Sequence, residues 1–501
     1  MGAGMGILRW WFALVSCFLC IITMTVRSSD AARFSIFERP LNLYGLISQH
    51  VQYGFYDEYD TFEGINQAMT SVVMEGDFSP TDDFALYGMV TLTGDLAYPL
   101  NNDDDTWKRR QFDKSDNLAF DDEYWQILRE IHVTWTPGNS RIRVGKQIVS
   151  WGELLGVRVL DQINPTDAQR NPSALELETT KVPTWMARYD YGFSFSNNWL
   201  SNASLQLVYD PNVDNDIYSR SVEFGNAKGG IWAGYLEIPP LGISGTRNLR
   251  LDKPEQWSDP RTIGARVQAL IGDTVTSLNF LYGRDSLPLT YTAGFATFTP
   301  GTPTLVHANQ AAFFPIRKMI GGMVATELGF VPRIGGMISP MMRVEASYGW
   351  DSEYTVGFLP QDVAFGKYDD IKVAASLEFG FPIRWLNPSN LIRLTTMYYL
   401  RSITHIDGPS GDTITTTEGP VERDNHTTTF QIVSKYWNGR ITPSVAWFRL
   451  WTAEADTYTG SLSYSNSKKW SYILSGQIFD SKAGIYDRKD SIAFKVQYKI
   501  N

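Results

Sequence analysis

A period-two alternation of apolar and polar residues recurs along almost the whole of this sequence and limits what it can fold into. Such alternation is typical of strands that present one face to an apolar medium and the other to water. No stretch after residue 32 is long and apolar enough to form a membrane-spanning helix. The pattern therefore predicts an all-β chain. In one segment near the end, Ile492, Phe494, Val496, Tyr498 and Ile500 alternate with Ser491, Lys495, Gln497 and Lys499.

The number of alternating segments indicates about 18 strands, within a range of roughly 14 to 18. Short segments of this kind are joined by connections that carry the turn-forming residues Gly, Asn and Pro. The strands are expected to begin near residues 41, 68, 84, 123, 140, 184, 200, 261, 274, 319, 341, 371, 391, 427, 441, 457, 470 and 490.

The connections between these segments alternate in length. Short turns on one side and long loops on the other are typical of a transmembrane antiparallel up-and-down β-barrel, with short periplasmic turns and long extracellular loops. A soluble β-sandwich or propeller is the alternative, although no blade-like repeat is visible. The compact connections include 137–139, 197–198, 272–273, 387–390, 438–439 and 467–469. The long ones are 55–67, 99–122, 150–183, 210–260, 285–318, 351–370, 402–426 and 481–489, whereas 452–456 is short where a long one is expected.

The first 32 residues predict a cleaved secretory signal peptide, because Arg9 precedes an apolar run that leads into small residues. A single membrane anchor is the alternative. Residues 33–501 are then expected to form one barrel domain in the Gram-negative outer membrane. Cys17 and Cys20 both lie in the leader, so we expect no disulfide bond and no thiolate site in the exported chain.

The charge balance bears on the partners of the chain. It holds 54 acidic and 44 basic residues, a net charge of -10 near neutral pH, which argues against a nucleic-acid partner. The partners expected of such a barrel are outer-membrane lipid and lipopolysaccharide. Periplasmic or inner-membrane transport subunits are a further expectation.

The polar face of the strands is expected to line the lumen if the apolar face meets lipid. Charges of both signs in a narrow lumen set a local field that selects among solutes. The alternative is that they only pair with each other and stiffen the wall. The candidate selectivity residues are Arg141, Arg143, Arg188, Asp190, Glu130, His132, Arg343, Glu345 and Arg393, with Arg266, Glu378, Gln147 and Lys495 on the same face.

Two basic residues break this alternation. Arg129 and Lys146 fall on the face assigned to lipid. An arginine in the middle of a bilayer costs about 2–4 kcal/mol. Each is therefore expected to lie near a membrane interface or to mark a β-bulge.

The loop 150–183 follows the fifth expected strand and is unusually polar. Its candidate residues are Trp151, Glu153, Asp161, Asn164 and Asp167. A loop with this chemistry can pair with Arg141 and Arg143 inside the lumen, so it is a candidate constriction or plug. The alternative is a cap on the extracellular side.

The same region carries a resemblance to a known family. The run Val144–Glu153 (VGKQIVSWGE), followed by Asp161–Asp167 (DQINPTD), resembles the signature of an uncharacterised family of proteobacterial outer-membrane proteins, domain-of-unknown-function family thirteen-oh-two. The resemblance implies a barrel over nearly the whole mature chain. It also implies work with envelope export or efflux systems, or the handling of hydrophobic compounds, while the substrate of the family is not settled.

Motifs for catalysis and for cofactors are absent. The sequence contains no HExxH, P-loop, GxSxG or dinucleotide fingerprint. Its five histidines show no metal-ligand spacing. We therefore predict no catalytic residue, no cofactor and no metal site.

Three hypotheses for function follow. The first is a non-enzymatic outer-membrane channel that moves small or hydrophobic solutes through a lumen narrowed by the loop 150–183. The second is a plugged accessory barrel that works with an envelope export or efflux machine. The third is a barrel-embedded lipid hydrolase, which needs a serine within reach of an inward histidine such as His132.

Overall fold

The structure is a closed antiparallel β-barrel of 18 strands. The predicted signal peptide lies outside the described residues except for residue 32. Among the helices of the described residues, none is long and apolar enough to cross a membrane. The computed structural model describes residues 32–55, 63–100, 120–121, 124–154, 156–166, 180–195, 199–214, 237–238, 243–252, 254–257, 260–285, 289–296, 306–329, 338–356, 364–404, 414–416, 419–421, 423–452, 454–466, 468–481 and 490–500.

The barrel strands follow one another in chain order, and each pairs with its two sequence neighbours. Their bounds are β1 Arg39–Gly54, β2 Gly64–Phe78, β3 Phe84–Asp95, β4 Leu128–Trp135, β5 Ser140–Gln147, β6 Thr184–Ser194, β7 Leu200–Asp210, β8 Thr262–Ile271, β9 Thr274–Arg284, β10 Ile316–Glu327, β11 Ile338–Val356, β12 Ala364–Phe381, β13 Ile392–Ile403, β14 Asp424–Ser434, β15 Ile441–Leu450, β16 Ala455–Ser465, β17 Trp470–Ser481 and β18 Ser491–Ile500.

The sheet closes between its first and last strands. β1 pairs antiparallel with β18 from Gly45 opposite Ile500 to Gly54 opposite Ser491. Closure leaves no open sheet edge, so the backbone groups of the wall are paired within it, as a lipid environment requires. The predicted fold class and the expected number of about 18 strands are confirmed.

Strand boundaries differ from the sequence prediction in a few places. β4 begins at Leu128 rather than near residue 123, because Tyr124–Ile127 form a short helix. β12 begins at Ala364 rather than near residue 371. Several elements were not predicted: a strand Ala32–Ile36 paired with β1, a hairpin of Ile414–Thr416 with Gly419–Val421, and a four-stranded sheet of Glu237–Ile238, Ile243–Asp252, Leu289–Ala296 and Val306–Phe313.

The longest connections all lie at one end of the barrel, although 357–363, expected to be long, and 451–454 at that end are short. β1 begins and β18 finishes at the opposite end, where the turns are short. This end faces the periplasm in an outer-membrane barrel. The short connections are 79–83, 136–139, 195–199, 272–273, 328–337, 382–391, 435–440 and 466–469. The other end carries 55–63, 96–127, 148–183, 211–261, 285–315, 357–363, 404–423, 451–454 and 482–490.

The two faces of each strand differ in chemistry as the alternation predicted. In β9 the outward side chains of Leu278 and Phe280 are 59% and 41% exposed, whereas Ser277 and Asn279 are 7% and 1% exposed. Large apolar residues thus cover the outside, and polar residues are packed inside. The main apolar cluster also lies inside, where residues that follow β5 pack on inward residues of the wall.

The outward face generates a test of the membrane assignment. The change Leu278→Arg is expected to lower the free energy of unfolding in lipid vesicles by about 2–4 kcal/mol, because a guanidinium near the bilayer centre is poorly solvated. Denaturant titration followed by tryptophan fluorescence measures this. Asp273→Arg, in the exposed β8–β9 turn, is the control and should change stability little. Equal effects of the two changes would contradict the assignment.

Candidate functional site

The loop after β5 folds against the inner surface of the barrel. Residues 148–154, 156–166 and 180–183 of this loop are described. Val159, Leu160 and Ile163 are at most 1% exposed and belong to one cluster with Met319 and Met323 of β10. These methionines alternate with the outward-facing Ile320 and Val324, which are 44% and 38% exposed. The loop therefore packs on the side of the wall that faces away from lipid.

Trp151 fixes the first part of the loop to β7 and β8. Its side chain is 1% exposed, and its Nε1 donates a hydrogen bond of 2.6 Å to Oε1 of Gln206. The ring lies against Gly264, where an added Cβ would be 2.6 Å from the ring. Only glycine allows this approach, since such a contact is too short for a real Cβ. The tryptophan of the sequence motif is thus a packing anchor.

Glu345 of β11 holds the next part of the loop. Its side chain points inward and is 1% exposed. Its Oε1 accepts hydrogen bonds from the backbone N–H groups of Glu153, at 2.6 Å, and Leu154, at 3.1 Å. Charge-assisted bonds of this type are stronger than neutral ones. The carboxylate predicted to act in selectivity therefore fastens the loop to the wall.

Asn164 joins the two ends of the loop. Its Oδ1 accepts a hydrogen bond of 2.7 Å from Val149 N, and its Nδ2 donates to the carbonyl oxygens of Gln147 at 3.2 Å and Val182 at 3.0 Å. The side chain is fully buried. A carboxylate cannot replace it, because two of these three bonds require an N–H donor. The asparagine of the DQINPTD segment thus closes the neck of the loop.

Arg158 and Asp161 stabilise the turn between these anchors. Arg158 donates to the carbonyl oxygens of Asp161 at 2.7 Å and Asn164 at 2.5 Å, and to the Thr166 hydroxyl at 3.2 Å. Burial lowers the pKa of the Arg158 guanidinium below its ordinary value. The Asp161 carboxylate forms an ion pair with Lys181. Arg158 and Asp161 therefore pair with groups of the loop itself.

A group of guanidinium side chains occupies the inner wall beside the loop. Arg143 of β5 lies directly opposite Arg188 of β6, and Arg141 lies opposite Asp190. Arg188 contacts Asp190 at 2.8 Å, and Asp190 also accepts a bond of 2.6 Å from Gln206. Arg266 of β8 is the register partner of Gln206. We call Arg141, Arg143, Arg188 and Arg266 the basic wall.

Two predicted residues border the basic wall. Glu130 accepts a hydrogen bond of 3.2 Å from Ile148 N, at the start of the loop. His132 stacks on Tyr87, with ring centroids 5.0 Å apart. Glu130, Asp190 and Glu153 are the carboxylates that act on the basic wall, so four cations face three carboxylates in this part of the described lumen.

A second charged group lies across the barrel, near its periplasmic end. Glu378 of β12 is 3.5 Å from Arg343 and 3.6 Å from Arg393. Arg343 also lies 3.7 Å from Glu153 of the loop. The loop thus contacts charged groups on this side of the wall as well.

Arg129 and Lys146 are buried rather than exposed to lipid, at 4% and 0% exposure. The register between β3 and β4 shifts from Met89–Glu130 to Val90–Leu128, so Arg129 is the extra residue of a β-bulge. Arg129 donates a hydrogen bond to the Lys181 carbonyl. Lys146, at the extracellular end of β5, donates to the Leu128 carbonyl at 2.7 Å. Arg129 thus marks a β-bulge, and Lys146 lies at the end of its strand, as the sequence predicted for residues that break the alternation.

The remaining predicted residues are Asp167, Gln147 and Lys495. Asp167 lies outside the described residues. Gln147 is buried and donates a bond of 3.0 Å to the Met186 carbonyl. Lys495 is 7% exposed and pairs in register with His50 of β1. These two residues therefore belong to packed parts of the inner wall.

Sequence reasoning missed a further charged group in the extracellular half of the lumen. It consists of Asp285, Arg317, Asp370, Lys372 and Arg401. Arg317 was overlooked because β10 was expected to begin near residue 319, after it. Lys372 and Arg401 were detectable, since they lie on the same face as Glu378 and Arg393 in strands β12 and β13. In the described part of the chain, no cluster of His, Cys, Asp or Glu could hold a metal ion.

A comparison with protein families matched most of the chain. The model of a family described as "Protein of unknown function (DUF1302)" matches residues 55–500. This confirms the resemblance found in the sequence. No curated protein matches the chain.

Solved structures with a similar fold are outer-membrane barrels. OpdK of Pseudomonas aeruginosa with vanillate is 9% identical, with a TM-score of 0.48 over 92% of this chain and 98% of that one. OccK2 of Pseudomonas aeruginosa with glucuronate is 10% identical, with a TM-score of 0.47 over 92% and 97%. OmpT of Vibrio cholerae is 10% identical, with a TM-score of 0.40 over 94% and 100%. At such identities the likeness concerns the fold alone.

The role of Asn164 can be tested in the folded barrel. The change Asn164→Ala removes the acceptor of Val149 N and both donors, and each buried group left unsatisfied costs about 1–3 kcal/mol. Amide hydrogen exchange at Val149 is expected to accelerate roughly tenfold to a hundredfold, which corresponds to about 1.4–2.8 kcal/mol. Asn390→Ala, in a periplasmic turn, is the control. Unchanged exchange at Val149 would show that Asn164 does not hold the loop.

Proposed function

The chain belongs to the family described as "Protein of unknown function (DUF1302)", and from this premise we propose that it is a non-enzymatic outer-membrane channel for small or hydrophobic solutes. Its lumen is narrowed by the loop between β5 and β6. Export through a cleaved signal peptide at residues 1–32 is part of this proposal. Outer-membrane lipid and lipopolysaccharide surround the barrel.

One observation carries the proposal: the loop is anchored to inward residues of well-separated strands. Trp151 bonds to Gln206 of β7, and the backbone of Glu153 bonds to Glu345 of β11. An extracellular cap would not need such contacts with the inner wall. A loop held at several points across the barrel reduces the cross-section while leaving the wall closed, which is how a fixed constriction works.

The basic wall supports a preference for anionic solutes. Four guanidinium groups stand beside three carboxylates, those of Glu130, Asp190 and Glu153, so the local charge is positive. Opposite charges attract strongly where the lumen excludes bulk water, because the effective dielectric constant there is low. Anions are therefore expected to enter this region more readily than cations.

A plugged accessory barrel is a second candidate, and one observation favours it. The inner face of β1–β3 is filled: His50, Gln52 and Gln67 are at most 2% exposed. Asp95 accepts hydrogen bonds from Ala68 N at 2.9 Å and Ala97 N at 3.0 Å, which fastens the chain after β3 to this wall. A lumen packed in this way has less space for solutes. This candidate would work with periplasmic or inner-membrane transport subunits.

Ion preference tests the role of the basic wall. Purified protein in planar bilayers is expected to give discrete conductance steps with a reversal potential that favours anions. Arg143→Ala should shift that potential toward cations, because it removes one inward charge. Lys318→Ala, whose ammonium pairs with Asp351 in an exposed position, is the charge-matched control. Equal shifts in both variants would exclude a selectivity role for Arg143, and persistent absence of conductance would favour the plugged barrel.

Removal of the loop tests the constriction. A variant in which residues 151–180 are replaced by a short Gly-Ser linker should conduct several-fold more than the parent, because the narrowing is removed. Heat-modifiable migration on gels verifies that the variant still forms a barrel. A control variant shortens the extracellular loop 404–423 and should conduct like the parent. A correctly folded loop variant with parental conductance would contradict the proposal.

A further inference from the structure

A separate cavity of about 310 Å³ lies in the extracellular half of the lumen. It is bordered by the ends of β9–β15 near the extracellular connections, and by the loop residues Val157, Arg158 and Gln162. The basic wall and the Glu378 group are not part of its lining. The loop therefore forms one side of this cavity. A different loop residue, Glu153, contacts Arg343 of the wall.

The two carboxylates in the cavity share one arginine. Arg317 lies 3.1 Å from Asp285 and 3.5 Å from Asp370, and it donates a hydrogen bond of 3.0 Å to Gln162. Ser352 also donates to Asp370 at 2.7 Å. Both acidic groups are thus engaged with the wall and the loop. The charges of both carboxylates also act on Lys372.

Further cations border the same cavity. Lys372 of β12 and Arg401 of β13 are directly opposite each other in the register, an arrangement that is unfavourable for like charges. The Arg158 guanidinium bonds to two carbonyl oxygens and a hydroxyl group, none of which carries a full negative charge. Among the described lining residues, four cations therefore stand beside three carboxylates, those of Asp285, Asp370 and Glu353. Glu353 alternates with the buried Ser352 and Tyr354, and it pairs in register with Lys367 at the rim.

The rest of the lining is largely apolar and aromatic. Tyr354, 8% exposed, borders the cavity together with Tyr399, Phe448 and Leu450. A cavity of this size lies at the lower end of the range for small-molecule sites. Apolar walls with a few convergent cations suit a ligand that combines a ring with one negative charge.

We propose that this cavity binds small aromatic or alicyclic carboxylates, with Lys372 and Arg401 receiving the carboxylate and the tyrosines and Phe448 packing against the ring. This binding proposal rests on the proposed function, because it names the class of solute that such a channel would take up from outside. An anion between Lys372 and Arg401 would relieve their mutual repulsion. The apolar lining would exclude strongly hydrated inorganic anions.

Binding is tested on the purified full-length barrel in detergent by isothermal titration calorimetry. Benzoate is the probe, and benzyl alcohol and benzylamine are its neutral and cationic analogues. Benzoate is expected to bind at least tenfold more tightly than either. Lys372→Met and Arg401→Gln should each weaken benzoate binding at least fivefold. Lys318→Met, which removes an exposed charge paired with Asp351, should leave it unchanged.

Two variants are used so that one misfolded variant does not decide the test. Only variants that still show heat-modifiable migration on gels are scored. Equal binding of benzoate and benzyl alcohol, or parental benzoate binding in both variants, would overturn the proposal and indicate that the charges only brace the wall. Conductance is measured separately. Conductance without benzoate binding would support the open channel and reject this binding site. Benzoate binding without conductance would support the binding site and reject the open channel.

Discussion

Backbone groups that cross a lipid bilayer must be hydrogen-bonded within the protein, and the architecture of this chain depends on meeting that requirement. The pairing of β1 with β18 completes it, since it removes the last open edge. Once the wall is closed, the outward positions have to be apolar and the inward positions become available for polar side chains. The buried arginines and carboxylates of the lumen are therefore a consequence of closure as well as of sequence alternation.

The same requirement governs the loop inside the barrel. A loop that leaves water takes its backbone donors and acceptors with it, and unpaired ones are costly. Glu345 accepts two of these donors, and Asn164 satisfies Val149 N and two carbonyl groups. The apolar cluster around Leu160 adds burial of nonpolar surface. The loop is thus held by directional bonds at its neck and at Glu153 and Leu154, which favours one fixed position.

The wall could be predicted from sequence because alternation and turn chemistry are local signals, and most strand starts follow from them. Long-range docking has no such signal. Trp151 and Gln206 are 55 positions apart, and Glu153 and Glu345 are 192 apart, so their contacts depend on how the closed barrel places distant strands. The sequence pattern marked Trp151, Glu153 and Asn164 as unusual but did not reveal that they anchor the loop. The parallel pairing of Ile243–Asp252 with Val306–Phe313 was missed for the same reason.

The position of the loop also determines how charge is distributed along the lumen. Arg158 borders the extracellular cavity, whereas Glu153 faces Arg343 on the opposite side. Each side of the loop therefore carries charge that the loop itself contributes. Arg158 is held inside the loop by three hydrogen bonds, whereas the Glu153 side chain is 42% exposed, so salt screens the Glu153 charge more strongly. A displacement of the loop would alter both sides together, so the anchors at Glu345 and Asn164 hold this distribution of charge in place.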